Sequence, residues 1–344
     1  MNRVLRLILC LALSQWLVTP VSAESEGQQL AQQAGQSLIG TAAPSLVLKT
    51  IDGQAIDLGQ LYGKKAVYLK FWATWCVPCR QQMPHFESTY EHAGQDLAVI
   101  AINAGFNDSL ADVIAYRKAV GLKMPIVIDD GRLADALHLR VTPQHIVIGR
   151  DGKILYIGHL VDDRLEAALT AARARPVVAV AAAKAIAAGA GALGIGARVP
   201  SVSLTALDGS PLTLTDPAGS RPTVIFFMSP WCESYLEKSR PERSAACKRA
   251  REQGERLSHD AGVRWIGVAS GLWSTATDLG GYRDQHQITV PLALDESGSI
   301  FRRFGVRDVP VFIVVSPKGE ITGRVDGSSD HLDEELSRSG LHAS

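Results

Sequence analysis

Apolar residues fall along the chain in short runs separated by polar, turn-forming stretches, and the runs come in two sets of similar order. In the first set, Ala66 to Ala73 is an apolar run ending before a cysteine, as a buried strand would be. Val77 to His92 then has a helical pattern, Leu97 to Ile102 predicts a second strand, Ser109 to Val120 a second helix and Pro125 to Ile128 a third strand. Gln144 to Gly149 and Ile154 to Gly158 flank the turn Arg150-Asp151-Gly152-Lys153, which predicts a hairpin. A last helix runs from Arg164 to Ala172, capped by Asp162 and Asp163. The second set predicts strands near Thr223–Met228, Val263–Ala269, Val290–Leu294, Val311–Val315 and Ile321–Val325. Strands alternating with helices and closing on a hairpin give an α/β fold around a mixed sheet.

The two sets are an internal repeat. Ile39-Gly40 is echoed by Ile195-Gly196, Ala43-Pro44 by Val199-Pro200, Asp52-Gly53 by Asp208-Gly209 and Trp75-Cys76 by Trp231-Cys232, each at an offset of 156. Further on the offset becomes 167: Leu139 matches Val306, Pro143 matches Pro310 and Gly152 matches Gly319. A duplicated domain with about 11 residues added to the second copy accounts for the constant registers. The copies span residues 38–172 and 195–340. Between them, residues 173–194 are rich in Ala and Gly and read as a partly helical, flexible linker rather than a membrane span, because small residues dominate and Lys184 interrupts them.

The first 23 residues read as a secretory signal: Arg3 and Arg6, a short apolar run from Leu7 to Val18, then the small-residue site Val21-Ser22-Ala23. An uncleaved membrane anchor is the alternative. Cys10 follows Leu9 rather than a small residue, which argues against lipid modification. At 344 residues and 46% apolar content the chain can build two cores, and 35 basic against 35 acidic residues argue against a nucleic-acid binder driven by phosphate neutralisation.

Beyond the signal remain Cys76, Cys79, Cys232 and Cys247, an even number that permits disulfides but is too small for a disulfide scaffold. Cys76-Val77-Pro78-Cys79 sits where the first strand runs into a helix. Three-residue spacing brings the sulfurs within bonding reach, and the unsatisfied N–H groups of a helix start favour a thiolate. Cys76 is expected nearer solvent, with a lowered pKa, as the attacking sulfur; Cys79, one turn deeper, would resolve the mixed disulfide. No second CxxC or nearby Cys/His set completes a zinc site, no cofactor is implied, and His85 and His92 read as solvated helix positions.

The stretch Phe71 to Cys79, together with Ala43-Pro44-Ser45-Leu46, Asp52-Gly53 and Leu58 to Leu61, resembles the thioredoxin superfamily, and most of all its exported TlpA/ResA-type thiol–disulfide oxidoreductases. The resemblance covers about residues 38–172 and implies two tandem thioredoxin-like folds, each a mixed central sheet flanked by helices. It implies that Thr142-Pro143 is a cis-proline pair facing the CxxC, with Trp75, Pro78, Thr142 and Pro143 contacting a substrate chain. It implies a periplasmic reductant of protein disulfides, such as apocytochrome c or metal-site proteins, recharged by a membrane thiol–electron transporter. Two positions depart from the family: Gln82 stands where many relatives carry a glutamate, and Lys70 where thioredoxins place a buried acid. Lys70 either lies behind the cysteine pair as a cation or snorkels to the surface.

The second copy keeps Phe226 to Cys232 but has Tyr235 at the resolving position, with Val309-Pro310 as its cis-proline candidate. Cys247 lies 15 residues beyond Cys232, about 22 Å along an unbroken helix, and Pro241 could break that helix. Three readings stay open for this copy: a Cys232–Cys247 disulfide, structural or exchanging; one reactive cysteine of peroxidase type; or inert thiols in a docking domain. For the whole chain, a client- or copper-binding module and a thiol peroxidase acting through Cys232 remain the alternatives to the oxidoreductase.

Overall fold

The computed structural model describes residues 23–177 and 191–341. The signal segment, all but Ala23, and most of the linker lie outside the described residues. Helix α1 (Ala23–Gly35) precedes a small hairpin of β1 (Val47–Lys49) and β2 (Ala55–Asp57) and a short helix α2 (Leu58–Leu61). The first copy then continues as β3 (Ala66–Trp72), α3 (Val77–Gln81), α4 (Met83–Glu91), β4 (Leu97–Asn103), α5 (Leu110–Val120), β5 (Ile126–Ile128), α6 (Arg132–Ala136), β6 (Gln144–Ile148), β7 (Ile154–Gly158) and α7 (Asp163–Ala174). The second repeats it: hairpin β8 (Ser203–Thr205) and β9 (Pro211–Thr213), then β10 (Thr223–Met228), α8 (Cys232–Tyr235), α9 (Pro241–Leu257), β11 (Arg264–Ser270), α10 (Ala276–His286), β12 (Leu292–Asp295), α11 (Ser299–Arg303), β13 (Val311–Val315), β14 (Ile321–Asp326) and α12 (Leu332–Leu336).

The two larger sheets have the orders β5-β4-β3-β6-β7 and β12-β11-β10-β13-β14. In each, the first three strands run parallel and the last two join antiparallel, so both copies are thioredoxin-like α/β folds around a mixed sheet. Central β3 is buried at every position because helices cover both its faces. Strand alternation sends Leu69 and Phe71 into one core layer and Tyr68 and Trp72 into the other, where they meet Cys76, Cys79, Met83 and Phe86.

The helix expected over Val77–His92 is divided at Gln82 into α3 and α4. Pro84 explains the break, since it has no N–H for the carbonyl four residues back. The helix expected over Ser109–Val120 is α5, with Ser109 as its cap in a reciprocal box with Asp112. Helix α1 was not foreseen. It carries Gln28, whose side-chain oxygen accepts the backbone N–H groups of His159 and Leu160.

Candidate functional site

The end of β3 delivers Cys76 to the N-cap of α3, with extended backbone angles, while Pro78 occupies the first turn, where a missing N–H costs nothing. Cys76 Sγ accepts the N–H of Cys79 at 3.1 Å, and the two cysteines are joined in a disulfide across 5.2 Å between Cα atoms. The Thr142–Pro143 peptide is cis, and the Thr142 carbonyl oxygen lies 3.2 Å from Cys76 Sγ. The loop after β4 holds Trp75 from the other side: its indole N–H donates to the Phe106 carbonyl at 2.8 Å. Gly105 makes that loop possible, since its φ is +63° and a Cβ there would sit 2.6 Å from the Asp129 carbonyl oxygen.

Cys76 is not nearer solvent than Cys79. Both have 0% exposure, because the second copy covers the site. Trp231 stacks on Trp75 with ring centres 4.9 Å apart. The Tyr235 hydroxyl accepts the Val77 N–H at 2.9 Å, and Arg240 donates to Thr74 Oγ1 at 2.6 Å and to Asp108 Oδ1 at 2.8 Å. Burial raises the Asp108 carboxyl, against the lowering effect of hydrogen bonds from Asn103 and Thr74 and of the Arg240 charge.

Equivalent residues reach across this interface in matched pairs. Asn107 N–H donates to the Arg307 carbonyl and Trp273 N–H to the Arg140 carbonyl, each at 2.8 Å. Val309 N–H donates to Asn107 Oδ1 at 3.0 Å, and the Trp273 indole donates to Thr142 Oγ1 at 3.2 Å. Trp231 donates to the Leu272 carbonyl as Trp75 does to that of Phe106. The copies therefore meet about a pseudo-twofold axis, as two protomers meet in an isologous dimer. Beside the buried disulfide a cleft of about 1190 Å³ opens between them, bounded by Trp75, Val77, Pro78, Trp231, Tyr235 and Trp273 among others.

The residues expected at the first site are together here: Trp75 and Pro78 on the cleft, Thr142 and Pro143 buried behind the disulfide. Cys232 begins α8 and is joined to Cys247 of α9, 6.2 Å away between Cα atoms, because the chain turns between α8 and Pro241. Cys247 Sγ lies 3.9 Å from the Val309 carbonyl oxygen, and Val309–Pro310 is cis. Sequence reasoning missed Asp108, Arg240 and the covering role of Tyr235. Arg240 stands next to the helix-breaking Pro241, and that adjacency was the one available signal.

Lys70 does not snorkel. It has 0% exposure, its Nζ makes no hydrogen bond among the described residues, and it lies 5.4 Å from the centre of the Phe86 ring. Burial without an anion pushes its pKa down to about 7. Across the strand pair stands His145, whose two ring nitrogens meet the Tyr68 hydroxyl and Gln82 Oε1, each at 2.8 Å. An amide oxygen can only accept, so His145 carries its proton on Nε2 and accepts from Tyr68 on Nδ1. Burial, then the neighbouring Lys70 charge, hold His145 well below the ordinary histidine range.

Similarity to known proteins falls on the same stretches. The chain is 39% identical over 120 residues to the thiol–disulfide oxidoreductase ResA of Halalkalibacterium halodurans, covering 34% of this chain and 66% of that one. Against ResA of Bacillus subtilis the identity is 34% over 120 residues, covering 34% and 65%. The match thus spans just under two thirds of either relative's own length. Against ResA of Bacillus cereus it is 31% over 170 residues, covering 48% of this chain and 91% of the relative. Among solved structures, a thiol:disulfide interchange protein of the thioredoxin family from Chlorobium tepidum is 26% identical, covers 39% of this chain and 97% of its own, and has a TM-score of 0.34. Residues 39–157 and 195–324 each match the AhpC/TSA family, and the chain belongs to that thioredoxin-like family in both of its copies.

Proposed function

We propose that this chain is an exported protein dithiol–disulfide oxidoreductase that reduces client disulfides through Cys76 and Cys79. The observation that carries the reading is the Cys76–Cys79 pair on a helix start, against the carbonyl before a cis-proline and beside an apolar cleft. In the reduced state the Cys76 thiolate attacks a client disulfide, forming a mixed disulfide and releasing one client thiolate. Cys79, deprotonated, then attacks the Cys76 sulfur, which releases the second client thiolate and restores the bond seen here. Two electrons pass to the client, and an external dithiol, in this reading a membrane thiol–electron transporter, returns them. The apolar start of the chain supports export, while apocytochrome c or metal-site proteins as clients rest on resemblance alone.

Pre-reduced protein is expected to precipitate insulin, by cleaving its interchain disulfides, well ahead of the same amount of small-molecule dithiol. Insulin turbidity measures it, and a rate no faster than the dithiol control ends the reading.

Because the second copy covers Cys76, a client engages after the copies part. Arg240→Ala removes charge-assisted hydrogen bonds of about 1.5–3 kcal/mol from the closed state. Alkylation of reduced Cys76 is therefore expected to quicken roughly tenfold or more. Equal alkylation rates in parent and variant would show that the interface does not limit access.

A further inference from the structure

The duplication supplies an internal comparison at the residues behind the cysteines. Lys70 and His145 face each other in the β3–β6 register, and Phe226 and Phe312 face each other in the β10–β13 register. The offsets of 156 and 167 make these pairs equivalent. In the second copy the two rings stack 4.5 Å apart, 9° from parallel, within a cluster of buried apolar side chains. The fold thus accepts hydrocarbon at both positions. The copy with the CxxC keeps a buried amine and a buried imidazole there instead, and Tyr68, which bonds that imidazole, has Val224 as its counterpart. Leaving a buried polar group unpaired costs stability, so its presence in one copy alone points away from packing.

The surroundings say what Lys70 does. It lies between Tyr68 and Trp72 on the strand face that packs against Cys76 and Cys79. Next to it stand Tyr68 on its own strand and His145 on β6, on which in turn act Tyr156 on β7, His159 after β7, His85 on α4 and Glu166 on α7. Burial and the Lys70 charge keep His145 neutral while Tyr68 and Gln82 fix its tautomer, and Glu166 Oε1 lies 2.7 Å from His85 Nε2. Gln82, which bridges His145 to the His159 carbonyl at 3.2 Å, has no proton to give up as an acid.

We propose that Lys70, oriented beside a neutral His145, is the proton-holding residue of the Cys76–Cys79 dithiol. In the oxidised protein no anion accompanies it among the described residues. On reduction, a cysteine S–H in the same layer gives its proton to the amine, leaving a thiolate and an ammonium, and no electron moves in that step. The buried ammonium then lowers the energy of the thiolate, and Lys70 acts through the sulfur as a positioning residue. The proposal rests on the reading of Cys76–Cys79 as a cycling pair.

The test is the ultraviolet absorbance of the thiolate against pH, in fully reduced Cys232→Ser/Cys247→Ser protein, with and without Lys70→Met. The midpoint is expected to rise by about one pH unit or more, a tenfold loss of thiolate at a fixed pH below it. The graft Lys70→Phe/His145→Phe, which installs the second copy's pair, keeps the test open if Lys70→Met fails to fold, and the same rise is expected of it. A midpoint unmoved in either folded variant overturns the proposal. The measurement needs no client, so a moved midpoint in a protein that cannot reduce insulin would leave this inference standing and sink the enzyme reading.

Discussion

Cys76→Ser is expected to reduce insulin cleavage to the uncatalysed background, while Cys79→Ser is expected to accumulate a covalent adduct with the client. The asymmetry follows from the helix start. Cys76 is the N-cap, and its sulfur accepts the N–H of Cys79, a bond that strengthens when the sulfur is charged. That sulfur also lies against the Thr142 carbonyl, at the loop covered by the second copy and exposed when the copies part. Cys79 is in the helix body, faces the core and reaches only a sulfur already held by Cys76. Without Cys76 no mixed disulfide forms. Without Cys79 it forms and cannot be resolved from within. Intact-mass analysis of the quenched reaction reads both outcomes, and Cys232→Ser/Cys247→Ser is expected to retain turnover. An adduct on Cys76→Ser, or turnover lost only with the second-copy pair, would assign the chemistry to the other disulfide.

How far the chain betrays this arrangement depends on how local each cause is. The central strands are legible because burial on both faces leaves an apolar run, so Ala66–Trp72 falls within one residue of its expected end. The repeat is legible because register is a property of the sequence. Its growth from 156 to 167 corresponds to the long α9 that follows α8, and it is Pro241 at the start of α9 that lets Cys247 return to Cys232. The burial of Cys76 was not legible. It comes from Trp231, Tyr235 and Arg240 docking on the first copy, and nothing in Trp75 or Val77 announces which surface will cover it. Helix α1 was missed because it is mostly polar and is held by few residues, among them Gln28. Strand alternation put Lys70 on an inward face, but only the packed layer shows that its amine has no route out.

That trapped amine should dominate the response of stability to alkaline pH. In the unfolded chain the Lys70 amine keeps its proton up to its ordinary value of 10.5, whereas in the fold it releases it near 7. Between those values the unfolded state binds more protons, so stability rises with pH. The slope is up to about 1.4 kcal/mol per pH unit, or roughly 3–5 kcal/mol over the whole window. Below pH 7 both states hold the proton and the penalty is present in full. Lys70→Met keeps most of the volume and removes the charge, as the stacked Phe226 and Phe312 do in the second copy. In oxidised protein this variant is expected to be more stable than the parent by several kcal/mol near pH 7, about 2–5, with the gap closing toward pH 9.5. Higher pH is avoided because Tyr62, Tyr68 and Tyr156 are buried with raised pKa values, so that ionisation in the unfolded chain reverses the trend. Urea unfolding at several pH values between 6.5 and 9.5 measures the gap. Parallel stability curves for the two proteins would mean that Lys70 reaches water or an anion in solution, and the buried ammonium that the thiolate needs would be gone with it.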